Sequence, residues 1–191
     1  MPPQIRITEE DILTAALALV REQGSDALNA RSLAARLGCS VQPIFRAFDS
    51  MQTVRTVLIH RAEQLYNQEM LAALAGPDGF LGMGLAYIGF ARREKNLFRL
   101  LFMSGTFAGS DALLVAGMTE GDDEVLEALC DMTGLDRARA QRLYSGIWFT
   151  THGIAALVAA GGCDLTEDEA RQTLGTAFRG LLSALENEEE V

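Results

Sequence analysis

A chain of 191 residues, 49% of them hydrophobic, can bury a core of one sizeable domain, or of a small and a medium one, and is too apolar to be disordered. Its net charge of −10, taken whole, argues against a nucleic-acid partner, and Cys39, Cys130 and Cys163, an odd set with no CxxC, give neither a disulfide frame nor a zinc site. Gly, polar or charged residues interrupt every apolar run before it reaches a membrane span, and Met1-Pro2-Pro3-Gln4-Ile5-Arg6 lacks the apolar stretch of a signal peptide, so the expected compartment is the cytoplasm, with no membrane partner.

Thr8-Glu9-Glu10-Asp11 reads as a helix start, with Thr8 as N-cap and an acid three residues on. Ile12, Ala16, Leu19 and Val20 follow at helical spacing, and Gly24 stops the helix. Asn29 caps a second helix over Ala30–Leu37. Ala34 is small enough for close helix approach, and Gly38 supplies the left-handed residue that ends it. Ser40 is expected to cap a third helix, with Pro43 in its first turn, where the missing N–H loses no partner. Ile44 is expected to face back onto Leu33 and Leu37. Two short helices around a tight turn in this pattern are a helix-turn-helix, whose second helix enters the DNA major groove.

Asp49-Ser50 caps a long fourth helix over 51–75, ended by Gly76-Pro77-Asp78-Gly79. Further helices are expected over 80–93 and 96–103, then a glycine-rich loop over 104–122 with a short helix at 111–116. A helix over 123–133 follows. Asp136 caps a long one to about 160, broken by Gly161-Gly162. Thr166-Glu167-Asp168-Glu169 is a capping box for the last helix, ending near 186. Almost no segment alternates with period two, so the fold is expected to be all-α with about nine helices. The domain division expected is 1–50 for the helix-turn-helix and 51–191 for a second helical domain.

The charge is unevenly spread. Residues 1–61 hold seven Arg against six acids, and residues 62–191 hold nine Lys and Arg against twenty acids. A near-neutral head on an acidic body can still bind DNA.

The arrangement resembles the TetR-type repressor family, most strongly over residues 12–58. Members start with an amphipathic helix ending in Gly, here Ile12-Leu13-Thr14-Ala15-Ala16-Leu17 through Gly24. The helix-turn-helix follows, then an aromatic, here Phe48, and a cap, here Ser50. Asn96-Leu97-Phe98-Arg99-Leu100-Leu101-Phe102 is similar to a segment common in the ligand domains of the family. Trp148 with His152-Gly153 resembles a subgroup with a Trp…His-Gly signature. The resemblance implies a homodimer that sets three N-terminal helices of each subunit on double-stranded operator DNA. It implies a four-helix interface from the last two helices of each subunit, and a small-molecule effector that releases the operator.

On the recognition helix, Val41, Gln42, Phe45 and Arg46 are expected to be exposed. A Gln42 amide can pair with adenine N6 and N7, and Arg46 can take a guanine or a phosphate; the plainer reading is that both are solvated. Val41 or Pro43 is placed to touch a thymine methyl. Asn29 and Ser40, at helix N-termini, suit phosphate as well as capping. Arg31 suits a phosphate or a surface pair, and Arg6 a minor-groove arm. Many members carry Lys at the position of Val41, Tyr at that of Phe45 and Lys near Met51. Each missing phosphate contact lowers the salt slope of binding by about one unit.

Met83, Tyr87, Phe90, Phe98, Phe102, Phe107, Tyr144, Trp148, Thr151 and His152 are the candidates for an apolar effector pocket with a few polar anchors. Tyr144, Trp148, Thr151, His152 and Ala155 share one helix face, and ordinary core is the other reading of each. Leu143, Ile147, Ile154 and Leu157, with Leu174, Phe178, Leu181 and Leu185, are the candidates for the dimer interface; packing within one subunit explains them too. Gly146, Gly153, Gly175 and Gly180 permit close helix approach.

An enzyme is the first rival. No P-loop, GxGxxG after a strand, HExxH or GxSxG is present, and no oriented third group supports a Cys–His pair, so no catalytic residue, cofactor or metal is expected. A helical adaptor of the same fold that has lost DNA binding is the second.

Overall fold

The structure, a computed structural model, describes residues 7–103 and 122–188. Arg6, Phe107 and the short helix expected at 111–116 lie outside the described residues. Within them the fold is all-α, with nine α-helices, one short 3-10 turn and no strand.

The Thr8 hydroxyl accepts from the Asp11 amide while the Asp11 carboxylate takes the Thr8 amide, a capping box that starts α1 (Glu9–Gln23). Gly24 leaves it at φ 84°. A 3-10 turn (Ser25–Ala27), not expected from the pattern, leads to α2 (Ala30–Leu37). The Asn29 side-chain oxygen accepts from the amides of Arg31 and Ser32, both at 3.1 Å. Gly38, at φ 65° and ψ 31°, ends α2 in the left-handed conformation. Its amide bonds to the Ala35 carbonyl and that of Cys39 to the Ala34 carbonyl, the paired bonds of a Schellman end.

Next comes α3 (Gln42–Ala47), six residues long. Ser40 does not cap it. The N-cap position is Val41, in the right-handed helical region and without a side-chain cap. A serine N-cap at 40 would place Pro43 at the third helical position, where no N–H exists to donate. Ser50 does cap α4 (Met51–Leu74), its hydroxyl accepting from the Thr53 amide at 3.1 Å.

The remaining helices are α5 (Gly79–Arg93), α6 (Lys95–Phe102), α7 (Asp122–Thr133), α8 (Arg137–Ala160) and α9 (Glu167–Glu186). Asp136 caps α8 and the Thr166–Glu169 box caps α9, as their sequences require.

The chain forms two compact units, 1–67 with 94–104, and 68–93 with 105–191. The first contains α1 to α3, most of α4, and α6. Its buried side chains include Ile12, Leu19, Val20, Leu28, Leu33, Ile44, Val54, Leu58 and Leu97. Glu94 pairs with Arg21, and the Asn96 amide donates to the Arg21 carbonyl, so α6 is tied to the end of α1.

The second unit contains the end of α4, α5, and α7 to α9. Val125, Leu126, Leu129, Leu135, Ala140, Leu143, Tyr144, Ile147 and Leu185 form its main apolar cluster. A Cβ on Gly84 would stand 3.0 Å from Leu174 Cδ1, and one on Gly146 2.8 Å from Leu181 Cδ1. These two glycines let α5 and α8 pack closely on α9. Contrary to expectation, one helix, α8, is long and apolar enough by length and composition to cross a membrane. Leu143, Tyr144, Ile147, Thr151, Ala155 and Val158 along it are buried, whereas Phe149 and Leu157 are exposed.

Candidate nucleic-acid interface and effector site

Ile44 has no exposed surface, and it holds α3 to the head. The opposite side of the helix presents Gln42, Phe45 and Arg46 to solvent at i, i+3 and i+4, with Val41 and Pro43 half-buried beside them. Phe45 keeps 47% of its surface exposed. Among the described residues, neither Arg31 nor Arg46 has an ion-pair partner, and both are exposed.

Among the described residues, the other arginines of the head, Arg21, Arg36, Arg55 and Arg61, are occupied. Arg36 makes a two-pronged pair with Glu22, 2.7 Å on one side, and that hydrogen bonding holds the Glu22 carboxyl below its usual range. Arg61 pairs with Glu10. Arg55 donates to the carbonyls of Leu28, at 2.7 Å, and Ser25. It thereby fixes the turn that leads into α2. Asn29 and Ser32 are likewise committed: Asn29 Nδ2 and the Ser32 hydroxyl both reach the Ala27 carbonyl. Sequence reading missed Arg55 because its partners lie 27 and 30 residues away. Asn29 is spent on capping, while Ser40 is exposed.

The effector candidates separate. Phe98 and Phe102 belong to the first unit, where Phe102 packs on Phe98 at 4.9 Å and edge-on to Tyr66 at 5.2 Å. The rest, Phe107 aside, belong to the second. There Tyr144 is part of the main core cluster and packs on Phe80, with Met83 against the same cluster. Phe90 is buried. Thr151 spends its hydroxyl on the Ile147 carbonyl one turn back.

Tyr87, Trp148 and His152 do come together. The Tyr87 hydroxyl lies 2.9 Å from His152 Nδ1. The Trp148 and His152 rings stack at 4.8 Å, 7° from parallel, as their i, i+4 spacing on α8 allows. Burial pushes the His152 imidazole below its ordinary 6.5. A histidine lowered in the folded state leaves the unfolded chain binding more protons, so stability is lost as pH falls from 6.5 toward the folded value. Asp11, Glu22, Asp78, Glu169 and Glu188 titrate below their ordinary carboxylate values, outside that window. His152→Gln is therefore expected to flatten the melting temperature between pH 6.5 and 5.5 relative to the parent. Equal slopes for the two proteins would contradict this.

The interface candidates also divide. Leu143, Ile147, Leu174 and Leu185 are buried by their own chain and have almost no surface left for a partner. Ile154, Phe178 and Leu181 are half-buried. Leu157 is 55% exposed, and Phe149, which sequence reading passed over, is 54% exposed. Gly153 lies between them at i+4 spacing, with nothing within 4 Å of a Cβ built there, and Gly180 on α9 is equally open.

The short α3, with one side exposed, follows the left-handed Gly38 at the end of α2, in a chain whose described residues are all-α. A family model described as Tetracyclin repressor-like, C-terminal domain matches residues 80–181, just over half of the chain. The chain belongs to the tetracycline-repressor-like family. Among solved structures, a TetR variant from Acinetobacter baumannii AYE in complex with minocycline is similar at 18% identity. The match covers 97% of this chain and 99% of that one, with a TM-score of 0.56, a likeness of fold. No curated protein matches the sequence.

Proposed function

We propose that this protein is a homodimeric, DNA-binding transcription regulator of the cytoplasm, a repressor released from its operator by a small, largely apolar effector. The observation that carries the reading is the presentation of Gln42, Phe45 and Arg46 on one side of a helix whose other side is anchored by Ile44. The unpaired charges of Arg31 and Arg46 supply the cations that a phosphate backbone needs. In this reading residues 1–50 are the reading head and residues 51–191 hold the effector and the dimer contact. The Acinetobacter protein is held in complex with minocycline, and an effector of small-molecule size is the corresponding reading here. Tyr87, Trp148 and His152 supply aromatic faces with one hydroxyl–imidazole pair, suited to an apolar effector carrying a polar group.

The dimer contact proposed is the outer side of α8 and α9 around Phe149, Gly153, Leu157 and Gly180. Glycine in a helix interior costs about 1 kcal/mol relative to alanine. Gly146 offsets that by letting Leu181 pack where a Cβ would stand, whereas nothing among the described residues fills that place at Gly153 or Gly180. Close approach by a second subunit gives them one.

Gln42→Ala tests the reading head. Loss of a two-pronged amide–adenine contact is expected to cost about 1–3 kcal/mol at one operator base pair, with the dimer intact. Binding measured against single-base variants of a selected duplex decides the matter. A loss spread equally over all sequences would remove Gln42 from base reading.

A further inference from the structure

Phe45 is the largest apolar side chain that the reading head leaves in water, and it stands between two polar ones. On its own helix face, Gln42 is three residues before it and Arg46 directly after. No ring stacks on it among the described residues, and Ile44 alone carries the burial of α3. A phenyl ring offers no hydrogen bond to phosphate or to a base edge. In the major groove the apolar feature that distinguishes one base from another is the C5-methyl of thymine. Neighbouring side chains at i and i+3 lie about 5–6 Å apart on a helix. That is one to two base steps of about 3.4 Å each.

We propose that Phe45 is a thymine reader: its ring packs on the C5-methyl of a thymine within two base pairs of the base read by Gln42, and so fixes an A·T pair in each operator half-site. Double-stranded DNA is the occupant this face fits, because Arg46, next to Phe45 on the same exposed helix, carries positive charge that no carboxylate neutralises among the described residues. The inference rests on the DNA-binding reading, and its test separates the two.

The full-length protein selects duplexes from a random pool, and each thymine of the enriched half-site is then replaced by deoxyuridine, which removes the methyl and nothing else. One thymine per half-site is expected to be sensitive, with affinity falling about fourfold for the one methyl. Phe45→Ala is expected to bind the thymine and deoxyuridine duplexes alike. Enriched duplexes that bind equally well with either base would overturn the thymine reader while leaving DNA binding in place. Discrimination that survives in Phe45→Ala would overturn it too, by assigning the methyl to Val41 or Pro43. Failure to enrich any duplex would overturn the DNA-binding reading and this inference with it.

Discussion

Replacing Ile44 with alanine is expected to cost about 2–5 kcal/mol of stability and to remove specific DNA binding altogether. Ile44 is fully buried, and it is the only residue of α3 that is. Six residues cannot hold a helix unaided, because nucleation alone outweighs the few hydrogen bonds gained. Without the anchor, α3 loses its reason to stay helical, and Gln42, Phe45 and Arg46 lose their common direction. The loss is a large share of the roughly 5–15 kcal/mol that holds a typical domain together. Ile44→Val, which removes one methyl group, is expected to cost only about 0.5–1.5 kcal/mol and to keep binding. Urea unfolding followed by a duplex-binding titration checks both. An alanine variant as stable as its parent, or one that binds as tightly, would show that α3 is held some other way.

The second large effect is expected at Gly153. Gly153→Arg puts a long charged side chain where a Cβ meets nothing within 4 Å, so the subunit itself should fold as before. In the proposed dimer that side chain lies in the contact between Phe149 and Leu157, where burying an unpaired charge is costly. The protein is expected to become monomeric by light scattering. Operator affinity should then fall by about 10²–10⁴, because two linked heads become two independent ones. Unchanged helical content with the mass of a dimer would move the interface elsewhere.

Helix starts and stops were legible because they are local chemistry. Thr8, Asn29, Asp136 and Thr166 each satisfy amides within three residues, and Gly38 and Gly161 each supply a left-handed end. Ser40 misled for an equally local reason: the proline that marks the helix start also removes one amide a serine cap would use. The side of α3 that stays in water was legible too, because Ile44 is its one large aliphatic side chain.

The faces of α8 were harder to read. It is apolar on nearly every side, so periodicity could not say which stripe serves the core, the aromatic cluster or a partner. Leu143 and Ile147 thus stood with Leu157 as interface candidates, although only Leu157 is exposed. The glycines sort the faces, since a Cβ on Gly146 would meet Leu181 while one on Gly153 would meet nothing within 4 Å among the described residues. The contacts of Arg55 with Ser25 and Leu28, and of Glu94 and Asn96 with Arg21, span long stretches of chain and leave no pattern in the sequence.

A hydroxyl-radical footprint of the full-length protein on a selected duplex tests the central claim most directly. Two heads carried by one dimer predict two protected patches on one side of the duplex, centred about 34–36 Å apart or a multiple of that, and lost together in Ile44→Ala. A single patch, or uniform protection that the substitution leaves unchanged, would contradict it.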